Sequence, residues 1–245
     1  MMSKTILYLL LVFGGWTAAC MASPPGEAPV GNLPIFADLN SHVVPPPPTA
    51  EQSARELDEI IALQRSTNPE LPRQWHAWHA GPPSLVWQKK ADELFDEKKQ
   101  YWARTNAYLH VAIYDALLAA KAARAQYRRA PPSLNSAAVR TLVPVTGGFS
   151  YPCDHSVAAG AAATVLGGLF PESKDVLMAQ ARKLADLRVA SGLQYRSDTD
   201  AGLALGASIA LQVLERAAGD GFERLYAGKI PTGKQYYTGK PLKRE

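Results

Sequence analysis

The pattern of apolar and polar positions divides the chain into stretches with a helical period, separated by proline-rich segments. Thr49 reads as the N-cap of a first helix, with Ala54, Leu57, Ile60 and Ile61 as its apolar stripe. Pro69 and Pro72 interrupt the pattern, and the tryptophan-rich segment up to Pro82 and Pro83 reads as a loop. Helical periodicity resumes near Ser84 and runs to Tyr127, with a break near Gln100; Leu109, Ile113, Ala116, Leu117 and Ala120 are expected to be buried. Residues 128–152 carry no long periodic run and read as a loop. Helices are expected over residues 155–169, 173–190 and 199–217, with Pro171 at one start and Gly219 just past one end. No alternating pattern of strand length and no internal repeat occurs. The expected fold class is therefore all-α, a compact bundle of about six helices.

Composition changes this picture at the two ends. Residues 1–22 combine a charged start, an apolar run from Ile6 and small residues before Ala22, the make-up of an export signal. Thr17-Ala18-Ala19-Cys20 resembles a bacterial lipoprotein cleavage box, in which Cys20 would carry the lipid. Ordinary cleavage near Ala22 is the alternative, and both place the protein in the periplasm or envelope. Residues 23–48, ending in four consecutive prolines, read as an extended tether outside the core. The expected domain spans residues 49–220, followed by a basic tail over 221–245.

The formal charge of +4 is local: between Lys229 and Glu245 five basic residues face one acidic residue, so the rest of the chain sums to neutral. No basic face with interleaved aromatics emerges, which argues against nucleic-acid binding. No segment after the signal reaches the ~20 consecutive apolar residues of a spanning helix. Contact with a membrane is expected only through a lipid at Cys20. Cys20 and Cys153 are the only cysteines, so no internal disulfide is available once Cys20 is lipidated or removed.

The chemistry concentrates in two phrases. Tyr151-Pro152-Cys153-Asp154-His155-Ser156 is the first; Arg188, five residues, Gln194, three residues and Asp198 form the second. Together with Ser191-Gly192-Leu193-Gln194-Tyr195-Arg196-Ser197-Asp198 and the small-residue run that follows, they resemble the superfamily joining type 2 phosphatidic acid phosphatases to vanadium haloperoxidases. The resemblance covers about Arg104 to Asp220 and, weakly, Ile230-Pro231-Thr232-Gly233. There the pattern is Pro-Ser-Gly-His followed by Ser-Arg-x5-His-x3-Asp. The resemblance implies a soluble, exported phosphatase-like protein acting on phosphomonoesters. The second-motif histidine is the acid, cations hold the phosphate, the third-motif histidine attacks, and the aspartate after it orients that ring. In haloperoxidases the attacking histidine bonds vanadium instead.

Carried over residue by residue, His155 matches the acid and Arg188 the third-motif arginine. Asp198 matches the orienting aspartate, but it also falls where the last helix needs capping. Gln194 stands in place of the nucleophile, and an amide nitrogen has no basic lone pair with which to attack phosphorus or bond vanadium. Vanadate is therefore disfavoured, and no other cofactor or metal is expected. Cys153 replaces serine and reads as a small buried side chain or, beside a helix start, a substitute thiol nucleophile. Asp154 replaces glycine and reads as an N-cap; pointed inward, it would oppose phosphate.

The first motif has two registers: Lys121 with Arg128, or Arg124 with Arg129 nearby and Pro131 where an arginine is usual. These cations could equally form a solvated helix end. His42 falls in the tether, and His110 reads as packed within a helix. His76 and His79 are spaced like metal ligands but lack a third ligand. Three functions are compatible with this set: a phosphomonoesterase with an altered nucleophile, a non-catalytic binder of phosphate or a phosphorylated small molecule, and a helical envelope protein with a vestigial site.

Overall fold

The computed structural model describes residues 33–66, 69–79, 81–98, 102–145 and 148–222. The export signal, Cys20, residues 23–32 and the tail from 223 lie outside the described residues. Within them the chain is helical, with no strand: α1 (Ala50–Arg65), α2 (Leu71–His79), α3 (Leu85–Lys98), α4 (Trp102–Tyr127), the single turn α5 (Pro132–Asn135), α6 (Asp154–Leu169), α7 (Lys174–Ala190) and α8 (Arg196–Ala218).

α6 is the centre. It carries no charge between Ser156 and Leu169, and most of its residues are buried, as a helix apolar on every side must be. α4, α7 and α8 pack around it. The α6–α8 crossing brings the two backbones into contact, because both helices present glycine there. A Cβ on Gly206 would lie 2.0 Å from the Val157 carbonyl oxygen, and one on Gly160 would lie 2.2 Å from that of Leu203. α8 is, by length and composition, long and apolar enough to cross a membrane, which counting consecutive apolar residues did not reveal. Its Leu205, Ile209, Ala210 and Val213 are buried in the bundle core.

α1 begins as expected. Gln52 N–H donates to Thr49 Oγ1 (3.3 Å) and Thr49 N–H donates back to Gln52 Oε1 (3.1 Å), a reciprocal capping box. Its inner face is less apolar than the stripe suggested: Ile60 is buried and Ala54 exposed, while Glu56 and Glu59 turn inward to bind arginines. The tryptophan-rich segment is a helix rather than a loop. Pro72 is its second residue, inside the first turn, where proline's missing N–H breaks no intrahelical bond.

Residues 33–48 are not a free tether. Asp115, fully buried on α4, accepts the backbone N–H groups of Ile35 (2.8 Å), Phe36 (2.9 Å) and Ala37 (2.9 Å). Tyr127 and Tyr151 donate their hydroxyls to the carbonyls of Val44 (2.6 Å) and Pro45 (2.8 Å), and His42 Nδ1 lies 3.0 Å from Ser208 Oγ on α8. The segment is a strap whose backbone groups are satisfied by side chains of the bundle. Asp115→Ala is expected to cost about 2–4 kcal/mol in urea unfolding, through the loss of charge-assisted bonds. It should also open residues 33–48 to limited proteolysis before the bundle itself is cut.

Candidate functional site

The turn between α7 and α8 sets the site. α7 ends at Ala190, and Gly192 takes a left-handed conformation (φ 73°) that a side chain would strain; its Cβ would also meet the Arg140 carbonyl oxygen at 2.4 Å. That turn folds Gln194 back beside Arg188, in the last turn of α7. Both are buried, 6% and 8% exposed. They line a cavity of about 330 Å³ together with Arg124 from α4, Asp154 and His155 from the first turn of α6, and Pro131 and Ser150. Trp75, Val143, Val145, Phe149 and Leu193 supply apolar wall.

The cavity's charges are partly matched already. Arg124 donates Nε–H to the Phe149 carbonyl (2.9 Å) and pairs through NH1 with Asp154 Oδ2 (3.1 Å). Asp154 Oδ1 accepts His155 N–H (2.9 Å) and lies 3.1 Å from His155 Nδ1. Burial would raise the Asp154 carboxyl, but the His155 hydrogen bond and the charges of His155, Arg124 and Arg188 together hold it well below the usual carboxylate range. The His155 imidazole is pushed below its ordinary value by burial, reinforced by Arg188 and opposed by the hydrogen bond to Asp154. Donation from Nδ1 leaves the lone pair on Nε2. Arg188 Nε and Gln194 Oε1 are buried without a partner among the described residues.

Five of the sequence candidates do not line this cavity. Lys121 lies exposed on α4. Arg128 is also exposed, its Nε–H donating to the Ala125 carbonyl (3.2 Å). Of the Arg124 register, Arg124 and Pro131 line the cavity and Arg129 does not, while both residues of the Lys121/Arg128 register lie outside it.

Arg129 points the other way. It pairs with Asp198 (2.7 Å) and Glu56 (3.0 Å), and its guanidinium sits 3.8 Å from the Tyr195 ring centroid. Asp198 is accordingly committed to Arg129 and to the Tyr195 N–H at the start of α8 (2.9 Å). Cys153 is fully buried and its thiol is pushed up by burial, so it offers no thiolate. It is also the N-cap of α6, which makes Asp154 the first helical residue instead of the cap.

His110 is exposed and bonds Gln88, and the His76 ring packs edge-on against Trp75 at 5.4 Å. Among the described residues no group of three histidine, cysteine or acidic side chains is placed to hold a metal ion. The sequence carries no local signal for the apolar wall: Trp75 lies between prolines that read as helix breakers, and 143–149 has no periodicity to mark it.

The fold matches solved structures of the superfamily. One is a bacterial vanadium-dependent iodoperoxidase, with a TM-score of 0.62 and 19% identity over 75% of this chain and 54% of that one. Another is a transmembrane PAP2-type phosphatidylglycerolphosphate phosphatase from Bacillus subtilis, with a TM-score of 0.55 and 18% identity over 72% of this chain and 90% of that one. This chain spans about half the length of the iodoperoxidase. No family model and no curated protein matches it. The fold is the helical fold shared by type 2 phosphatidic acid phosphatases and vanadium haloperoxidases.

Proposed function

We propose that the chain binds phosphate or a phosphorylated small molecule in this cavity and does not transfer the phosphoryl group. One observation carries the reading. Gln194, at the position of the superfamily's attacking histidine, lies buried beside Arg188, and each keeps an unpartnered polar atom in the wall of a cavity that also holds Arg124 and His155. An unsatisfied buried donor costs about 1–3 kcal/mol, which an oxyanion oxygen on Arg188 would recover. A 180° rotation of the Gln194 amide exchanges its oxygen and NH2, so this position can offer a donor too. The N-terminus of α6 adds the positive end of its dipole.

Turnover is disfavoured by the same residues. An amide cannot attack phosphorus, Cys153 is sealed in the core, and Asp198 is already occupied by Arg129. Vanadate as a resident cofactor does not fit either, since the position that would bond the metal carries an amide. The signal-like residues 1–22 support an exported protein, with either a lipid at Cys20 or ordinary cleavage near Ala22.

p-Nitrophenyl phosphate separates binding from catalysis. The wild type, His155→Ala and Gln194→His are all expected to show no hydrolysis above background; the last stays inactive because Asp198 remains tied to Arg129. Phosphate at 100 times its dissociation constant should raise the wild-type melting temperature by about 5 °C or more, an effect lost in Arg188→Ala. Wild-type hydrolysis abolished by His155→Ala would contradict the reading.

A further inference from the structure

We propose that the cavity selects a tetrahedral oxyanion with one negative charge and an organic substituent, a phosphate diester or a sulfate monoester, over the dianionic head of a phosphate monoester. The inference rests on the binding reading above and names its ligand class. Its basis is Asp154. Two guanidiniums, Arg124 and Arg188, line the cavity, but the Asp154 carboxylate lines it with them, 3.1 Å from Arg124 NH1. That carboxylate is built in. It sits on the first residue of α6 and is held by the backbone N–H and the ring of His155, so it cannot leave the cage without breaking both contacts.

Two cations against one fixed anion leave one net positive charge for a ligand. Arg124 is the more committed cation, with Nε on the Phe149 carbonyl and NH1 on Asp154. Arg188 retains an unpartnered Nε. The neutral amide of Gln194 adds no second charge. A monoanion is therefore matched by Arg188, whereas the second charge of a dianion would face the Asp154 carboxylate. The organic substituent follows from the wall: Val143 and Val145 are partly exposed and Phe149 is 38% exposed among the lining residues, beside the buried Trp75 and Leu193. An inorganic ion would leave that apolar surface uncovered.

Calorimetric titration at pH 8 and low salt tests this with phenyl phosphate, phenyl sulfate and methyl phenyl phosphate. Phenyl phosphate is dianionic at that pH, its second ionisation lying near 6; the other two are monoanions of similar shape. The wild type should bind the monoanions about tenfold more tightly than phenyl phosphate, a modest share of the repulsion between two like charges near a protein surface. Asp154→Asn should invert the order in favour of phenyl phosphate. Whichever monoanion binds more tightly tells a phosphate diester from a sulfate ester.

Tighter wild-type binding of phenyl phosphate overturns the proposal while leaving the binding reading intact. An unchanged ratio in a folded Asp154→Asn protein also overturns it. Binding of none of the three overturns both. The wild-type order does not depend on the variant folding.

Discussion

Gly206→Ala is expected to destabilise the chain by about 3 kcal/mol or more, near the upper end of the usual cost of overpacking. The added methyl would fall 2.0 Å from the Val157 carbonyl oxygen and 2.7 Å from the Ala161 nitrogen. Both are backbone atoms of a buried helix, so no side chain can swing aside and α6 must move away from α8. The site moves with it: His155 and Asp154 occupy the first turn of α6, whereas Gln194 precedes α8. The urea midpoint should therefore fall at unchanged m-value, with phosphate protection weakened in parallel. A loss below about 1 kcal/mol would mean that the two helices separate freely, against the close backbone contact at Gly206.

Arg129→Met should be comparably severe, about 3–5 kcal/mol near pH 7.5, because it leaves the carboxylates of Asp198 and Glu56 without their shared cation. Asp198 is fully buried, and burial pushes its carboxyl up to about 6 despite Arg129 and the Tyr195 N–H. The folded-state value thus lies above the unfolded one, so the folded chain takes up the proton first. From this group alone, stability rises as the pH falls from about 6 toward the unfolded carboxyl value near 4. Removing Arg129 raises the Asp198 value further and widens that window. The penalty of Arg129→Met should then be largest at neutral pH and smaller at pH 5. Equal penalties at pH 7.5 and 5 in urea unfolding would show that Asp198 is not the stranded charge.

Much of the fold follows from local signals. The expected helices at 155–169, 173–190 and 199–217 correspond to α6, α7 and α8, and Thr49 caps α1. The strap was missed because its partner is distant. Residues 33–48 are proline-rich and their apolar positions form no long periodic run, and only Asp115, a lone carboxylate within the apolar run of α4, hints at backbone donors arriving from elsewhere. α2 was missed because Pro72 reads as a breaker unless it is placed in a first turn.

The site was legible to the extent that its residues lie in the two motif phrases. His155, Arg188 and Gln194 line one cavity, and Arg124 and Pro131 of the second first-motif register join them. The fate of Arg129 and Asp198 was not legible, since their pairing depends on Glu56 of α1, more than 70 residues from Arg129 along the chain. Of the two readings open for Asp154, the cap fails and the inward orientation holds: the carboxylate stands one position further into the helix and lines the cavity. That one-residue difference sets the charge of the cavity.

Calorimetric titration of the wild type and Arg188→Ala with inorganic phosphate at pH 6, alongside an assay for p-nitrophenolate release, separates binding at Arg188 from turnover. One phosphate should bind per chain, with affinity reduced at least about tenfold in Arg188→Ala and no release by either protein. Turnover by the wild type, or phosphate binding indifferent to Arg188, would contradict binding without turnover.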